Sequence, residues 1–131
     1  MSPKNLNVQN KTHKFLLNKL KDKQIFQIYK KFDKDLKLNG NFIVAVSGGP
    51  DSLALTALSM AYGFKTKTKF YYVLINHNIR KNSKIEARKV KMLLKLHGIN
   101  LKIINIKRKI SKNIQNEARN QRYKLLANYC N

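Results

Sequence analysis

The fold of this chain is decided by the stretch Phe42-Ile-Val-Ala-Val-Ser47-Gly48-Gly49-Pro50-Asp51-Ser52. Small and apolar residues run directly into Ser-Gly-Gly-Pro-Asp-Ser, and apolar residues at helical spacing follow. This pattern predicts a strand, a tight turn and the start of a helix. Gly48 and Gly49 allow positive φ and close approach of a ligand, while the first helical amides carry the positive end of the helix dipole. The turn is therefore predicted to bind phosphate.

The side chains of this loop extend the prediction. The Ser47 hydroxyl can donate to a phosphate oxygen, Pro50 is pre-set for the turn, and Ser52 suits a helix N-terminus. The Asp51 carboxylate would repel a phosphate unless a divalent cation lay between them, so Asp51 is predicted to hold Mg²⁺. The alternative is that Asp51 only caps the helix and the glycines only form a turn. The complete string between a strand and a helix favours the functional interpretation.

Charge indicates the class of partner. The 131 residues include 28 Lys and Arg against 6 Asp and Glu, a formal net charge of +22. A polyanion such as a nucleic acid is the natural partner of such a chain. The alternative is a coding bias, because the chain is rich in Lys, Asn and Ile throughout.

Cysteine usage and hydropathy indicate the compartment. Cys130 is the single cysteine, so no disulfide within the chain is possible and a Cys/His metal site lacks ligands. No apolar run is long enough for a transmembrane helix, and residues 1–10 contain no apolar signal core. We expect a cytoplasmic protein that makes no membrane contact.

The region before the loop is predicted to be a helical extension. Residues 1–10 have the composition of a loose tail, and residues 12–38 carry apolar residues at helical spacing with Lys on the other face. Asp22 can cap a second helix, and Asn39-Gly40 ends the segment. We expect residues 1–40 to pack on a domain formed by residues 41–131, the alternative being a basic amphipathic helix that lies on a membrane or an RNA.

The region after the loop alternates between helix and strand patterns. The predicted elements are a helix over 52–62 that stops at Gly63, a strand over 70–75, a helix opened by a Ser83–Glu86 capping box and stopped by Gly98, a strand over 101–106, a basic loop over 107–112 and a last helix from near Asn113. The helix after Ser83 carries Ile85, Met92, Leu93 and Leu96 on one face. Together the elements predict an α/β fold, a parallel three-stranded βαβαβα sheet with right-handed crossovers.

Ligands bind beyond the carboxyl ends of parallel strands, and this rule brings two further segments to the loop. His77 and Arg80 follow the second strand, where Arg80 can pair with phosphate and His77 can donate a hydrogen bond or move a proton. The alternative is a surface loop with an incidental histidine. After the third strand, Gln115, Arg119 and Arg122 share one helical face at steps of four and three, and the two arginines can hold a triphosphate or RNA phosphates. An ordinary solvated helix face is the alternative.

These motifs resemble a known family. The loop over 47–52 is similar to the pyrophosphate loop of the ATP-pyrophosphatase (PP-loop) superfamily, whose sheet is adenine nucleotide alpha hydrolase-like and Rossmann-like. With His77-X-X-Arg80 and the pattern Asn-X-Gln-X-X-Ala-Arg-X-X-Arg-Tyr over 113–123, residues 41–129 resemble the tRNA(Ile)-lysidine synthases.

The resemblance implies an ATP-dependent ligase that uses Mg²⁺. It adenylates the C2 oxygen of the wobble cytidine in tRNA(Ile) with release of pyrophosphate, and free lysine then displaces AMP to give lysidine. The residues it implies for ATP binding are Ser47, Gly48, Gly49, Pro50, Asp51, Ser52, Arg80 and Arg122. The residues it implies for catalysis are Asp51, His77 and Arg119, with Asp51 also on the metal.

The chain departs from the family pattern in two ways. Asn76 stands where many members carry an acidic residue before the histidine. The chain ends at Asn131, before a further strand with a Gly-His-X-X-Asp-Asp-like segment and the tRNA-binding regions of the family. We therefore expect a partial form of the enzyme, with the first strand at an open sheet edge that a second chain or dimer partner can complete.

Three rival functions follow from the same residues. A PP-loop tRNA thiolase would need a catalytic cysteine pair, which Cys130 alone does not supply. A non-catalytic basic RNA-binding protein would bind RNA irrespective of ATP and of Asp51. A nucleotide-binding domain without an RNA role would show no salt-dependent tRNA affinity.

Overall fold

Two N-terminal helices precede an alternation of strands and helices. The computed structural model describes residues 3–36, 40–106 and 114–130. In chain order the elements are α1 (Pro3–Lys19), α2 (Lys23–Asp35), β1 (Asn41–Ala45), α3 (Pro50–Lys65), β2 (Lys69–Asn76), α4 (Ser83–Leu96), β3 (Leu101–Asn105) and α5 (Ile114–Cys130). The predicted helix end at Asn39, the basic loop over 107–112 and the helix start at Asn113 lie outside the described residues.

The three strands form one parallel sheet in the order β1-β2-β3. Val44 lies opposite Tyr72, and Leu74 lies opposite Ile103. The predicted parallel three-stranded α/β sheet is confirmed. Within the described ranges, β1 has a neighbouring strand on one side only, so its other edge is open.

The sheet has two differently covered faces. Both α3 and α4 pack on the first face, as two right-handed crossovers in the same direction require. The core on this face consists of Val44, Val46, Leu74, Ala87, Leu94, Ile99 and Leu101. Lys102 points to the second face, because side chains alternate along a strand, and its ammonium lies 5.1 Å from the ring centroid of Tyr129 in α5. The last helix therefore covers the second face.

The N-terminal helices pack on the outer side of α3. His13 of α1 stacks on Phe64 with the ring centroids 4.4 Å apart. The hydroxyl of Tyr62 donates to the Leu36 carbonyl at 3.2 Å, and Tyr29 of α2 is only 2% exposed. These contacts hold the helical segment before the sheet against α3. No helix in the described ranges is both long enough and apolar enough to cross a bilayer.

The predicted N-terminal tail is wrong, and the predicted cap of α2 is right. Residues 3–10 form the first half of α1, with Pro3 at the first helical position, where its missing N–H costs nothing. Polar composition indicated a tail, but residues 4–10 contain no helix breaker, so the helix extends outward from the part that packs on α3. Asp22 caps α2, because its carboxylate accepts from the amides of Gln24 and Ile25 at 2.9 and 3.1 Å.

The predicted stop of α3 at Gly63 is also wrong. The helix continues to Lys65, and it ends where the Thr66 hydroxyl donates to the Tyr62 carbonyl at 3.0 Å. Gly63 lies where an added side chain would contact Phe70 of β2 at 3.5 Å. That contact is an ordinary one, so Gly63 is tolerated within the last turn, and the sequence alone does not distinguish such a glycine from a helix end.

The start and the orientation of α4 differ from prediction. Asn82 is the N-cap and makes no side-chain cap, so the Ser83–Glu86 capping box does not form. The Ser83 hydroxyl instead accepts from the Arg80 amide at 3.1 Å and donates to its carbonyl at 2.8 Å. The predicted stop is confirmed, since Gly98 has φ +76° directly after the C-cap. The predicted apolar face of α4 points outward, since all four of its residues are exposed.

Candidate functional site

The loop after β1 is shaped by one glycine with positive φ. The chain remains hydrogen-bonded to β2 for one residue after β1 ends, since the Val46 amide donates to the Val73 carbonyl at 2.8 Å. The chain then turns at Gly48, where φ is +88°. A Cβ at Gly48 would lie 2.7 Å from Cγ2 of Val90 in α4, closer than packed carbon atoms approach. Glycine is therefore required there for its backbone conformation and for space.

The polar groups of the loop converge on one oxygen, Oγ of Ser52. This atom accepts from the amides of Ser47 and Gly48 at 3.1 and 3.2 Å, and it lies 3.1 Å from Ser47 Oγ. It also donates to the Gly49 carbonyl at 3.1 Å. Two adjacent amides and a hydroxyl aimed at a single oxygen form the kind of concave donor group that binds anions.

The start of α3 carries no side-chain cap. Gly49 is the N-cap, Pro50 occupies the first helical position, and Asp51 lies in the first turn with an exposed side chain. The alternative interpretation of Asp51 as the N-cap is therefore wrong. The positive end of the helix dipole faces the loop, and the Asp51 carboxylate stands beside it.

A cavity of about 460 Å³ opens beside the loop. The carboxyl ends of β1 and β2 form its floor, and α4 and α5 form its walls. Four of the predicted site residues line it, namely Ser47, His77, Arg80 and Arg122. Arg119 and residues 48–52 are not among the lining residues. The structure thus brings Ser47 of the loop, two residues after β2 and one arginine of α5 to a common space.

His77 reaches this cavity from the end of β2. Its Nδ1 atom is buried and has no hydrogen-bond partner among the described residues. Burial lowers the pKa of His77 below its ordinary value of 6.5, and the positive charge of Arg122 lowers that pKa further. The imidazole is therefore neutral at pH 7 and has a nitrogen available to accept a proton.

A buried amide network fixes the segment that carries His77. Asn76 is 4% exposed, and its Nδ2 donates to Oδ1 of Asn78 and of Asn105, both at 3.0 Å. Its Oδ1 accepts from the Asn78 amide at 3.1 Å. Asn78 adopts φ +52° and donates from Nδ2 to the Ile106 carbonyl at 2.8 Å. Asn76 is thus a structural residue that ties β2 to β3, and its side chain is turned away from solvent.

Arg80 lies at the exposed rim of the cavity. Its guanidinium is 3.4 Å from the Glu86 carboxylate, and the two side chains are 77% and 53% exposed. An ion pair this exposed contributes little to stability, so a phosphate can compete for Arg80 at small cost. The predicted phosphate contact of Arg80 is compatible with this position.

The two arginines of α5 share one aromatic ring. The guanidinium carbons of Arg119 and Arg122 lie 5.6 and 5.9 Å from the ring centroid of Tyr123, which lines the cavity and is 55% exposed. The predicted common face of the two arginines is consistent with these distances. Gln115, on the same predicted face, is exposed.

The chain matches a known protein family over most of its length. Residues 17–131 match the PP-loop domain family. The chain belongs to the PP-loop domain family. The loop over 47–52 is the part of the molecule from which this membership was predicted.

Several relatives of the chain carry the same name. The chain is 40% identical over 95 residues to the tRNA(Ile)-lysidine synthase of Orientia tsutsugamushi (strain Boryong), a match over 70% of the chain and 21% of that protein. It is 31% identical over 112 residues to that of Rickettsia rickettsii (strain Sheila Smith), covering 79% and 23%. The match to Rickettsia typhi (strain ATCC VR-144 / Wilmington) is 33% over 112 residues, covering 79% and 26%. The predicted resemblance is confirmed, and the chain spans about a fifth to a quarter of these relatives.

The donor set of the PP-loop domain suits Mg²⁺ only together with a phosphate ligand. Among the described residues, no three His, Cys, Asp or Glu side chains lie close enough to hold a metal ion. Mg²⁺ commonly takes one or two carboxylates, substrate phosphates and water. The exposed Asp51 carboxylate beside the anion-binding loop fits that arrangement.

Two residues of this PP-loop domain were not assigned roles from the sequence. Asn78 supports His77 through positive φ, and asparagine is among the residues that tolerate it. Tyr123 is the common contact of the two arginines. The signal for Asn78 in the sequence is the spacing Asn76-X-Asn78 at the end of a strand. The signal for Tyr123 is its place at the end of the Arg-X-X-Arg-Tyr pattern.

Proposed function

We propose that this chain binds ATP with Mg²⁺ and acts in lysidine formation on tRNA(Ile), as an ATP-dependent C–N ligase of the tRNA(Ile)-lysidine synthase type. In this reaction the C2 oxygen of the wobble cytidine attacks the α-phosphate of ATP and pyrophosphate leaves. The ε-amine of free lysine then attacks C2 and AMP leaves. The names of the relatives support this choice of reaction.

One observation carries the proposal. The Ser47 and Gly48 amides and the Ser47 hydroxyl converge on a single oxygen at an uncapped helix N-terminus. A phosphate oxygen that replaced Ser52 Oγ as the acceptor would receive the same donors and the favourable end of the dipole. Such fixed donors stabilise the charge that grows on the leaving pyrophosphate without reorganisation during the reaction.

The remaining predicted residues are proposed to bind the metal and the phosphates. Asp51 would hold Mg²⁺, which neutralises phosphate charge when bound. Arg122 in the cavity wall and Arg80 at its rim would bind phosphate oxygens. Arg119 is proposed to act from the Tyr123 ring at the cavity mouth, where an incoming RNA or triphosphate passes.

His77 is proposed to accept a proton from the attacking lysine. A lysine ammonium is not nucleophilic until it loses a proton, and a neutral imidazole can take that proton at neutral pH. The lowered pKa of His77, due to burial and to Arg122, keeps the ring in the receptive form.

The wider proposal concerns partners and organisation. The net charge of +22 suits a tRNA partner in the cytoplasm. Residues 1–40 would be a helical extension of a PP-loop domain over 41–131, and a second chain or dimer partner would complete the sheet at the open edge of β1.

Calorimetric titration of ATP with Mg²⁺ into the chain tests the proposal. Asp51→Ala is expected to weaken binding at least about tenfold, about 1.4 kcal/mol, because the cation loses its protein ligand. Asp35→Ala, which removes a carboxylate at the far end of α2, is the matched control and should bind as the unaltered chain does.

A parallel titration with tRNA(Ile) separates the rival functions. An ATP-dependent enzyme should bind tRNA(Ile) with strong salt dependence and bind ATP through Asp51. Binding of tRNA without any ATP binding would contradict the proposal and favour a non-catalytic RNA-binding protein. ATP binding without salt-dependent tRNA affinity would favour a nucleotide-binding domain without an RNA role.

A further inference from the structure

The helix α4 has two apolar faces, and only one of them packs on the sheet. Ala87 and Leu94 are each 4% exposed and belong to the core. Ile85, Met92 and Leu96 are 54%, 68% and 74% exposed. At about 100° per residue, these three fall within about 40° of one another and about 180° from the core-facing pair. The outward side of α4 therefore presents three exposed apolar side chains, with the exposed Lys89 between Ile85 and Met92.

A groove lies beside these side chains. Leu93, 43% exposed, borders a cavity of about 180 Å³ between α1, α3 and α4. Phe15 of α1, 53% exposed, lies on the other side of this groove. We call Ile85, Met92, Leu93, Leu96 and Phe15 the α4 ridge. Phe15 and Leu93 line one groove, and Ile85, Met92 and Leu96 are exposed along the outward side of α4. Grouped exposed apolar side chains mark interaction surfaces.

The other flank of the ridge is basic. On the side away from the groove, α4 presents four exposed cationic side chains, namely Lys84, Arg88, Lys91 and Lys95. The single acidic residue of α4, Glu86, is paired with Arg80. A molecule that covers the ridge therefore meets Lys89 and an apolar groove on one side and four cationic side chains on the other.

These properties select one class of occupant. A second copy would bring another chain of charge +22 to the same surface, which opposes association. RNA matches the charge but offers no apolar stripe for Met92 and Leu96. A lipid surface is flat and cannot fill the groove between Phe15 and Leu93, whereas a side chain on a helix can.

We propose that the α4 ridge docks an amphipathic helix of a partner protein whose apolar stripe is flanked by Asp and Glu. The apolar stripe packs on the ridge, one large side chain enters the groove, and the acidic flank faces the four cationic side chains. Helices bind apolar surfaces in this manner, and complementary charges accelerate and orient their association. The proposal does not depend on the proposed enzymatic function.

Selection from a displayed library of helical peptides tests this inference. The library fixes an apolar stripe and randomises the flanking positions among Glu, Lys and Gln. Peptides that bind the full chain should be enriched in Glu along one flank only. Met92→Ser/Leu96→Ser should weaken their binding at least about tenfold, a loss of about 1.4 kcal/mol. Lys91→Gln/Lys95→Gln should weaken binding and reduce its dependence on salt.

The control is Ile28→Ser, which removes a comparably exposed apolar residue from α2 and should leave peptide binding unchanged. Because all the altered side chains are exposed, the variants should remain folded, and circular dichroism checks this. Selection of no peptide that depends on the ridge, or of such peptides without Glu enrichment, would overturn the proposal. Two other results would also overturn it. One is sedimentation in which the unaltered chain forms dimers that Met92→Ser/Leu96→Ser does not form. The other is binding to phosphatidylserine vesicles, in place of peptides, that depends on the ridge.

Discussion

The loop over 47–52 and the segment over 76–80 both follow a strand at the same edge of the sheet, but they are held in different ways. The loop is fixed by its own residues, through bonds from Ser47 and Gly48 to Ser52 that span four or five positions. The segment after β2 is fixed from a distance, because Asn76 and Asn78 bond to Asn105 and Ile106, 29 and 28 positions away. One half of the site is therefore local in origin, and the other half depends on β3.

This difference separates what each half contributes. A locally determined loop keeps its donors in position wherever the strand and helix on either side of it form. The His77 side of the cavity is correctly formed only when β3 is paired with β2. We expect substitutions in the two halves to differ in how far their effects spread.

The largest effect is expected from Gly48→Ala. The new Cβ would lie 2.7 Å from Val90 Cγ2, and φ of +88° disfavours a side chain. We expect a loss of about 3 kcal/mol in the free energy of unfolding and loss of ATP binding, measured by urea denaturation and calorimetry. In the double variant Gly48→Ala/Val90→Ala, which removes the contacting methyl groups, the loss should be smaller than the sum of the single losses.

Gly49→Ala is the matched control for this prediction. Its φ is −73°, and the added Cβ would make an ordinary 3.5 Å contact with Ser47 Oγ. Stability should change by less than about 0.5 kcal/mol. Equal destabilisation by the two alanines would show that the loop is not shaped by Gly48.

An intermediate effect is expected from Asn76→Ala. The substitution removes a 4% exposed amide and leaves Oδ1 of Asn78 and of Asn105 without this donor. We expect a loss of about 2 kcal/mol, measured by urea denaturation. Amide resonances should shift on both β2 and β3 while the loop over 47–52 changes little. The exposed Asn100→Ala is the control, and shifts concentrated in the loop would contradict the separation of the two halves.

The smallest effect is expected in the pH dependence of stability. His77 has a pKa below 6.5 in the folded chain because of burial and Arg122, so the unfolded chain binds a proton first as pH falls. The contribution of His77 to the free energy of unfolding should be fully present above about pH 6.5 and should decrease below it. His77→Gln should flatten this part of the profile, whereas His97→Gln, which retains His77, should not. An unchanged slope in His77→Gln would contradict a buried, neutral imidazole.

The same contrast explains how much the sequence could predict. The strand, loop and helix around Ser47 were predicted because each depends on neighbours in sequence. The prediction of a capping box at Ser83 was wrong, because the Ser83 hydroxyl forms its hydrogen bonds with the backbone of Arg80 instead. Asn76 was interpreted only as a missing carboxylate, because its partner Asn105 lies on another strand.

The orientation of α4 shows a second limit. The sequence placed Ile85, Met92 and Leu96 on one face, and they do share a face, but that face points to solvent. Ala87, Val90 and Leu94 pack inward. When a helix carries two apolar faces, periodicity reveals both and cannot say which one meets the sheet.

The central claim is that the donors around Ser52 Oγ form a pyrophosphate site. It is tested most directly by following the amide resonances of Ser47, Gly48 and Gly49 during titration with magnesium pyrophosphate. We predict that these three amides shift first and saturate together, and that Asp51→Ala moves the midpoint to higher concentration by about tenfold, or 1.4 kcal/mol. Shifts confined to Lys-rich surfaces, with the three loop amides unmoved, would contradict the claim.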